Sequence, residues 1–261
     1  MNRRTWIVLA CVLCWFAYRW QREPSRAPRR PESPLLSIAV LPADTAGAEL
    51  PRAQDVLANV ARVYASCERY RDEGVNWTEF IGDGESGRDH QRETQFATRF
   101  DRRRGFRWEY RELEAGGRDD TRMVIWGLPE RAQEWWTVRE HAIDSGEWGS
   151  LRAAAAGVSS GTSTLIPDLL DPQDERDALL LRLVEPIVRG RDDVGGRPCY
   201  RIEAQLEQAH AYVVWVDVEQ YVVRRVHESF RLDDCRVDET IVCAPELDPR
   251  IADDELAFTP P

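Results

Sequence analysis

The sequence predicts an α+β domain: a curved antiparallel sheet covered by one early helix and one middle helical segment, preceded by an N-terminal hydrophobic segment. Three observations predict it. Short segments of alternating apolar and polar residues recur through most of the chain, separated by Gly, Pro and Asp turns. One amphipathic stretch near the start and one Ala/Leu-rich stretch in the middle interrupt them. Aromatic residues, including ten Trp in 261 residues, gather on the alternating segments, where they must fill a core or line an apolar cavity.

The chain begins with Arg3 and Arg4, followed by the apolar run Trp6–Tyr18. Such a run rises about 20 Å as a helix, short of the ~30 Å hydrocarbon core but within the range of a signal-peptide apolar region. Bulky Trp15 and Phe16 stand where a signal peptidase needs small residues, so residues 1–20 read first as an uncleaved signal anchor. A cleaved signal peptide, and a lipoprotein signal ending at Cys11, are the alternatives. Residues 21–52 then hold Pro24, Pro28, Pro31, Pro34, Pro42 and Pro51 among Arg, Glu and Ser, the composition of an extended tether. Residues 53–261 form the domain, and the expected location is the cell envelope, with a periplasmic domain tethered to the inner membrane or exported after cleavage.

From Ala53 to Asp72 the residues Val56, Leu57, Val60, Tyr64, Cys67 and Tyr70 recur at helical steps, which predicts one amphipathic helix. Strands are expected at Val75–Ile81, Glu93–Phe100, Gly105–Leu113, Arg122–Leu128 and Gln133–Glu140. Trp148–Leu170 is Ala- and Leu-rich and reads as one or two short helices. Strands return at Leu183–Gly190, Cys199–Glu207, Ala211–Val218, Tyr221–Phe230 and Arg236–Cys243, with turns at Gly195-Gly196 and Glu219-Gln220. Phe106, Trp108 and Tyr110 alternate on one strand face, and Trp126 and Trp136 lie on neighbouring strands. These five rings are expected to line one apolar hollow beneath Trp148–Leu170, a shape suited to an acyl chain.

Charge and cysteine usage exclude several function classes. A net charge of −11 is unsuited to a nucleic-acid partner. All 35 basic residues are Arg, interleaved with acids as on a solvated surface. Of the four domain cysteines, Cys235 and Cys243 bracket a short acidic segment and are the expected disulfide, while no CxxC spacing suggests a metal site. Gly157-Val158-Ser159-Ser160-Gly161 fits the G-x-S-x-G pattern but follows a helix-like run rather than a strand, so Ser159 lacks the setting of a nucleophile. The four His are scattered. The chain is expected to be no enzyme and to use no cofactor.

Three stretches carry a family likeness: Arg102-Arg103-Arg104-Gly105-Phe106-Arg107-Trp108, Met123–Pro129 (MVIWGLP) and Glu255–Pro261 (ELAFTPP). Residues 53–261 resemble the LolA/LolB-type outer-membrane lipoprotein carriers and related lipoprotein-sorting proteins. The resemblance implies that the sheet forms an unclosed half β-barrel with a helical lid, which encloses the acyl chains of a lipoprotein or another lipid. In that family an Arg before the Phe-x-Trp strand is tied to lid closure and hand-over, and its nearest match is Arg102. The Pro that follows this Arg in the family is missing, and a membrane tether is foreign to a diffusing carrier. The implied function is an envelope carrier or acceptor of acyl chains. The alternative is a membrane-tethered regulatory sensor of the same fold that contacts a membrane-protein partner.

Overall fold

The computed structural model describes residues 50–82, 90–112, 121–139, 143–171, 178–206, 210–232 and 235–261. The expected membrane segment and all but the end of the tether lie outside them. Among the described residues, no helix is long and apolar enough to cross a membrane.

The domain is a twelve-stranded antiparallel sheet that does not close on itself. Helix α1 (Ala53–Ser66) leads into a meander of β1 (Arg69–Gly82), β2 (His90–Asp101), β3 (Gly105–Glu112), β4 (Thr121–Leu128), β5 (Arg131–Trp136) and β6 (Ile143–Gly146). Helices α2 (Trp148–Ala155), α3 (Thr162–Leu165) and α4 (Pro167–Leu170) and a 3-10 turn (Leu179–Leu181) follow. A second meander runs through β7 (Val184–Val194), β8 (Arg197–Leu206), β9 (His210–Asp217), β10 (Val223–Leu232) and β11 (Cys235–Cys243). The chain then forms β12 (Glu246–Leu247) and α5 (Asp253–Leu256). Pairing of β1 with β11 joins the meanders, leaving β6 and β7 at the two ends of the sheet, while β12 pairs with the start of β1. The α+β class and the open antiparallel sheet are as the sequence predicts.

The core lies on one face of this sheet, the inner face, under the helices. Val56, Leu57, Val60, Ala61 and Tyr64 give α1 a buried stripe, and burying each large apolar side chain is worth roughly 1.5–3 kcal/mol. The hydroxyl of Tyr64 accepts the backbone N–H of Val223 at 3.0 Å, fixing the helix to the start of β10. The helix ends at Ser66, six residues before the expected Asp72. Cys67 turns extended, and the chain resumes as β1, where Tyr70 and Asp72 occupy successive inner positions of a strand. Gly74 makes room on that strand: a Cβ there would lie 2.2 Å from Cζ of Phe96 and 2.4 Å from the carbonyl of Val242. The Gly195-Gly196 turn joins β7 to β8 with φ of 63° and 78°, the left-handed pair that matches strand twist in a two-residue hairpin.

The expected Cys235–Cys243 disulfide is excluded. The two residues end the same strand, opposite Gly82 and Gly74 respectively, so the strand between them spans about 26 Å at 3.3 Å per residue. A disulfide tolerates a Cα separation of up to about 7 Å. The acidic segment between them is strand interior rather than a turn.

Candidate functional site

The inner face of β3 carries Phe106, Trp108 and Tyr110, none more than 1% exposed. Trp136 of β5 packs half-buried against the same cluster. Trp126 does not join them. The turn at Pro129-Glu130 sets Met123 opposite Trp136 and Trp126 opposite Gln133. Met123 and Ile125 therefore point inward, while Val124 and Trp126 point outward into a separate cluster with Trp135. Four of the five expected rings thus share the interior, and the fifth lies across the sheet.

Helices α2 to α4 close over this interior. Trp148, at the first turn of α2, stacks on Phe106 with centroids 3.9 Å apart and on Phe100 at 6.0 Å. The interior aromatics therefore pack against a helical plug. The plug is cross-linked to itself: the fully buried Arg152 is ion-paired with Asp168, lies 4.4 Å over the Trp148 ring, and lends its carbonyl to the Ser163 hydroxyl at 2.9 Å. It meets the sheet through the stacked rings and through the backbone N–H of Trp148, which donates to the Pro129 carbonyl at 2.8 Å. Three indole N–H groups on this side, from Trp108, Trp136 and Trp148, are buried without a hydrogen-bond acceptor among the described residues. Leaving a buried donor unmade costs about 1–3 kcal/mol each.

One end of the interior is polar. Arg92 donates to the carbonyl of Val158 at 3.0 Å and to the Ser160 hydroxyl at 3.1 Å, joining β2 to the turn between α2 and α3. Ser160 and Gly161 hold this turn with φ of 51° and 74°. A cavity of about 140 Å³ opens beside it, lined by Phe80, Arg92, Ser160, Phe230 and Glu239 among others. Burial pushes the Glu239 carboxyl above its usual range, partly opposed by the Ser160 and Thr78 hydroxyls and by Arg92. Ser159 is fully buried, its hydroxyl 3.3 Å from that of Ser163, so the G-x-S-x-G stretch is a helix-breaking turn rather than a nucleophile elbow. Among the described residues, no three His, Cys, Asp or Glu side chains gather as a metal site would require.

Arg102 does not touch this plug through its hydrogen bonds. From the β2–β3 turn its guanidinium donates to the carbonyls of Ala65 (2.8 Å) and Cys67 (2.9 Å), capping the C-terminal end of α1. Its position thus ties the first helix to the sheet. Arg102→Ala is expected to destabilise the domain by about 1–2 kcal/mol, read as a lower urea midpoint at unchanged slope. Unchanged stability would show that water serves these carbonyls equally well.

No family model matches the chain, and no curated protein does. Solved structures do. A LolA-superfamily protein from Nitrosomonas europaea shares 6% identity at a TM-score of 0.34, covering 80% of this chain and 99% of that one. A putative outer membrane lipoprotein-sorting protein domain from Vibrio parahaemolyticus shares 9% at 0.37, covering 78% and 95%. Pseudomonas aeruginosa MucB, solved with MucA, shares 12% at 0.42, covering 79% of this chain and 61% of that one. The likeness is one of fold, and at these identities no site residue transfers from one chain to another.

Proposed function

We propose that the domain binds an extended apolar chain bearing hydrogen-bond acceptors, an acyl ester or fatty acid, in the cell envelope. The observation that carries this reading is the set of indole N–H groups of Trp108, Trp136 and Trp148, buried in the aromatic part of the interior with no acceptor among the described residues. A core evolved only for packing gains nothing from unsatisfied donors, whereas ester or carboxyl oxygens entering with an acyl chain would accept them. The plug provides the route. Its polar ties to the sheet are few, so it can lift as one body once three sets of them part: the Arg92 bonds to Val158 and Ser160, the Trp148 backbone N–H bond to the Pro129 carbonyl, and the Ser160 hydroxyl contacts with Thr78 and Glu239. Phe106, Trp108, Tyr110 and Trp136 would then face the ligand, while Trp126 would not. Residues 1–20 and 21–52 fit this role as an anchor and tether holding the domain at the membrane. No chemistry is proposed, because the one nucleophile-like motif is buried and bonded to its own helical turn.

A fluorescent fatty-acyl probe titrated into the protein tests the reading. Saturable binding that shifts Trp emission is expected, with faster association for Arg92→Ala, which frees the plug. A folded protein that binds none of several acyl lengths would reject it in favour of a regulatory sensor that contacts a protein partner.

A further inference from the structure

The outer face of the sheet holds an aromatic site that the apolar interior does not explain. On an antiparallel sheet this face is ordinarily polar. Here β4 and β5 place Trp126 and Trp135 on it, over the fully buried Val124. Among the described residues, the closing segment of the chain packs over them through Phe258. Phe258 sits 5.0 Å from Trp126 and 5.4 Å from Trp135, ring centroid to ring centroid. The guanidinium carbons of Arg107 and Arg122 lie 5.3 and 5.2 Å from its ring centre, and Glu109 bridges these two arginines at 2.7 and 2.8 Å. Phe258 thus fills a socket walled by two Trp and two Arg, the residue types that dominate binding hot spots.

The approach to the socket is basic, and the segment that occupies it is acidic. Arg104 pairs with Asp253 at 2.5 Å, and Arg71 and Arg99 reach Glu255 at 2.9 and 3.4 Å. Arg107 also donates to the carbonyl of Ala257 at 3.0 Å. Among the described residues, no backbone–backbone hydrogen bond joins the segment to the sheet beyond Asp248. What holds it there is the burial of Ile251, Leu256 and the Phe258 ring, together with arginine bonds to the carbonyls of Arg250, Ile251 and Ala257. Ion pairs add to these, one of them to an Asp253 carboxylate that is 93% exposed, and such surface pairs are individually weak. None of these contacts belongs to the sheet ladder or to the inner cluster, so detachment costs the segment's own burial and leaves both intact.

We propose that the Trp126–Trp135–Arg107–Arg122 socket is a peptide-binding site, filled in cis by Asp253–Phe258, that receives an acidic, Phe-bearing peptide of a partner protein when the segment releases. The resident segment defines the recognised chemistry: carboxylates for the arginine rim, then a Phe five residues after the first of them for the socket. This site is on the face opposite the proposed acyl site and does not depend on it.

The probe is a fluorescein-labelled peptide with the sequence of residues 250–261, RIADDELAFTPP. The Phe258→Ala chain should bind it about ten-fold more tightly than wild type, whose own segment competes. A peptide with Ala in place of Phe, and one with its acids amidated, should each bind about ten-fold more weakly than the parent, and salt should weaken the parent. Equal binding by wild type and Phe258→Ala, or indifference to the peptide's Phe, would overturn the proposal. Wild-type hydrogen exchange gives an answer that needs no variant: the amides of Glu255 and Ala257 should exchange about a hundred-fold faster than those of β4. Protection equal to that of β4 would show that the segment never releases. A wild-type dimer that exchanges segments and ignores the peptide would likewise overturn it, assigning the socket to a second copy of this chain.

Discussion

Trp148→Ala is expected to cost the domain about 3–5 kcal/mol, the usual range for deleting a large buried aromatic ring. The indole is 2% exposed and stacks on both Phe106 and Phe100. Its loss would also strip the guanidinium of the buried Arg152 of its aromatic partner. Set against a total stability of about 5–15 kcal/mol, this is a large fraction, and it should appear as a steep fall in the denaturation midpoint. The same variant bears on the acyl reading. Removing the plug's central ring vacates the volume a ligand must otherwise win, so a saturating acyl probe should restore much of the lost stability. At a hundred times its dissociation constant a ligand adds about 2.7 kcal/mol. A loss below about 1 kcal/mol would show that α2 is not packed as described. A full loss with no recovery on adding probe would mark the interior as core alone.

Much of this architecture was legible because strand and helix periods differ so sharply. Phe106, Trp108 and Tyr110 announce a strand with one aromatic face, and that face is the inner one. Gly195-Gly196 announces its hairpin. The failures have equally physical causes. Helix α1 is expected to run past its observed end because the three-residue steps from Tyr64 to Cys67 to Tyr70 continue a helical stripe, while Tyr70 and Asp72 also satisfy a two-residue alternation. Tertiary pairing with Phe100 and Leu247 decides for the strand. Trp126 lies on the outer face, against the expectation, because both faces of β4 are apolar and the pairing across the Pro129-Glu130 turn settles which side each ring takes. The strand expected at Arg236–Cys243 is present as β11, and it is this strand that defeats the disulfide: its acidic residues carry no turn, and Glu239 is an inner residue beside Thr78. Strands β6 and β12, at four and two residues, carry too little pattern to be seen. The β1–β11 junction joins residues over 150 positions apart, which no local signal encodes. Phe258 stood in the sequence only as part of a family-like ELAFTPP; its role depends on the arginines and tryptophans that folding brings around it.

Stability should fall as pH rises from about 4 to 7, and Asp72→Asn should remove much of that fall. Asp72 is fully buried on the inner face of β1. Burial pushes its carboxyl up to about 7, against hydrogen bonds from the Ala244 N–H at 2.8 Å and the Tyr70 hydroxyl at 3.0 Å, and the more distant charge of Arg224. Around it stand Tyr64, Tyr70 and Cys243, whose own ionisation burial suppresses, and among the described residues no cation is ion-paired with the carboxylate. The unfolded chain releases this proton near pH 3.9 and the folded chain near 7. Between these values the native state binds more protons, so the contribution is fully present below about pH 4 and lost as pH rises through about 7. A shift of this size corresponds to about 4 kcal/mol. Glu134 and Glu239, also raised by burial, act with the same sign, whereas Asp101, Glu109, Asp217 and Glu255 are lowered and lose their contribution only in acid. The difference between wild type and Asp72→Asn therefore isolates the one group. Asn keeps an oxygen for the Ala244 N–H and presents its amide to the Tyr70 oxygen, so the variant should match wild type near pH 4 and exceed it by a few kcal/mol at pH 8. Urea denaturation at both pH values decides the matter: parallel profiles for the two proteins would mean that Asp72 carries its charge in the native state without penalty.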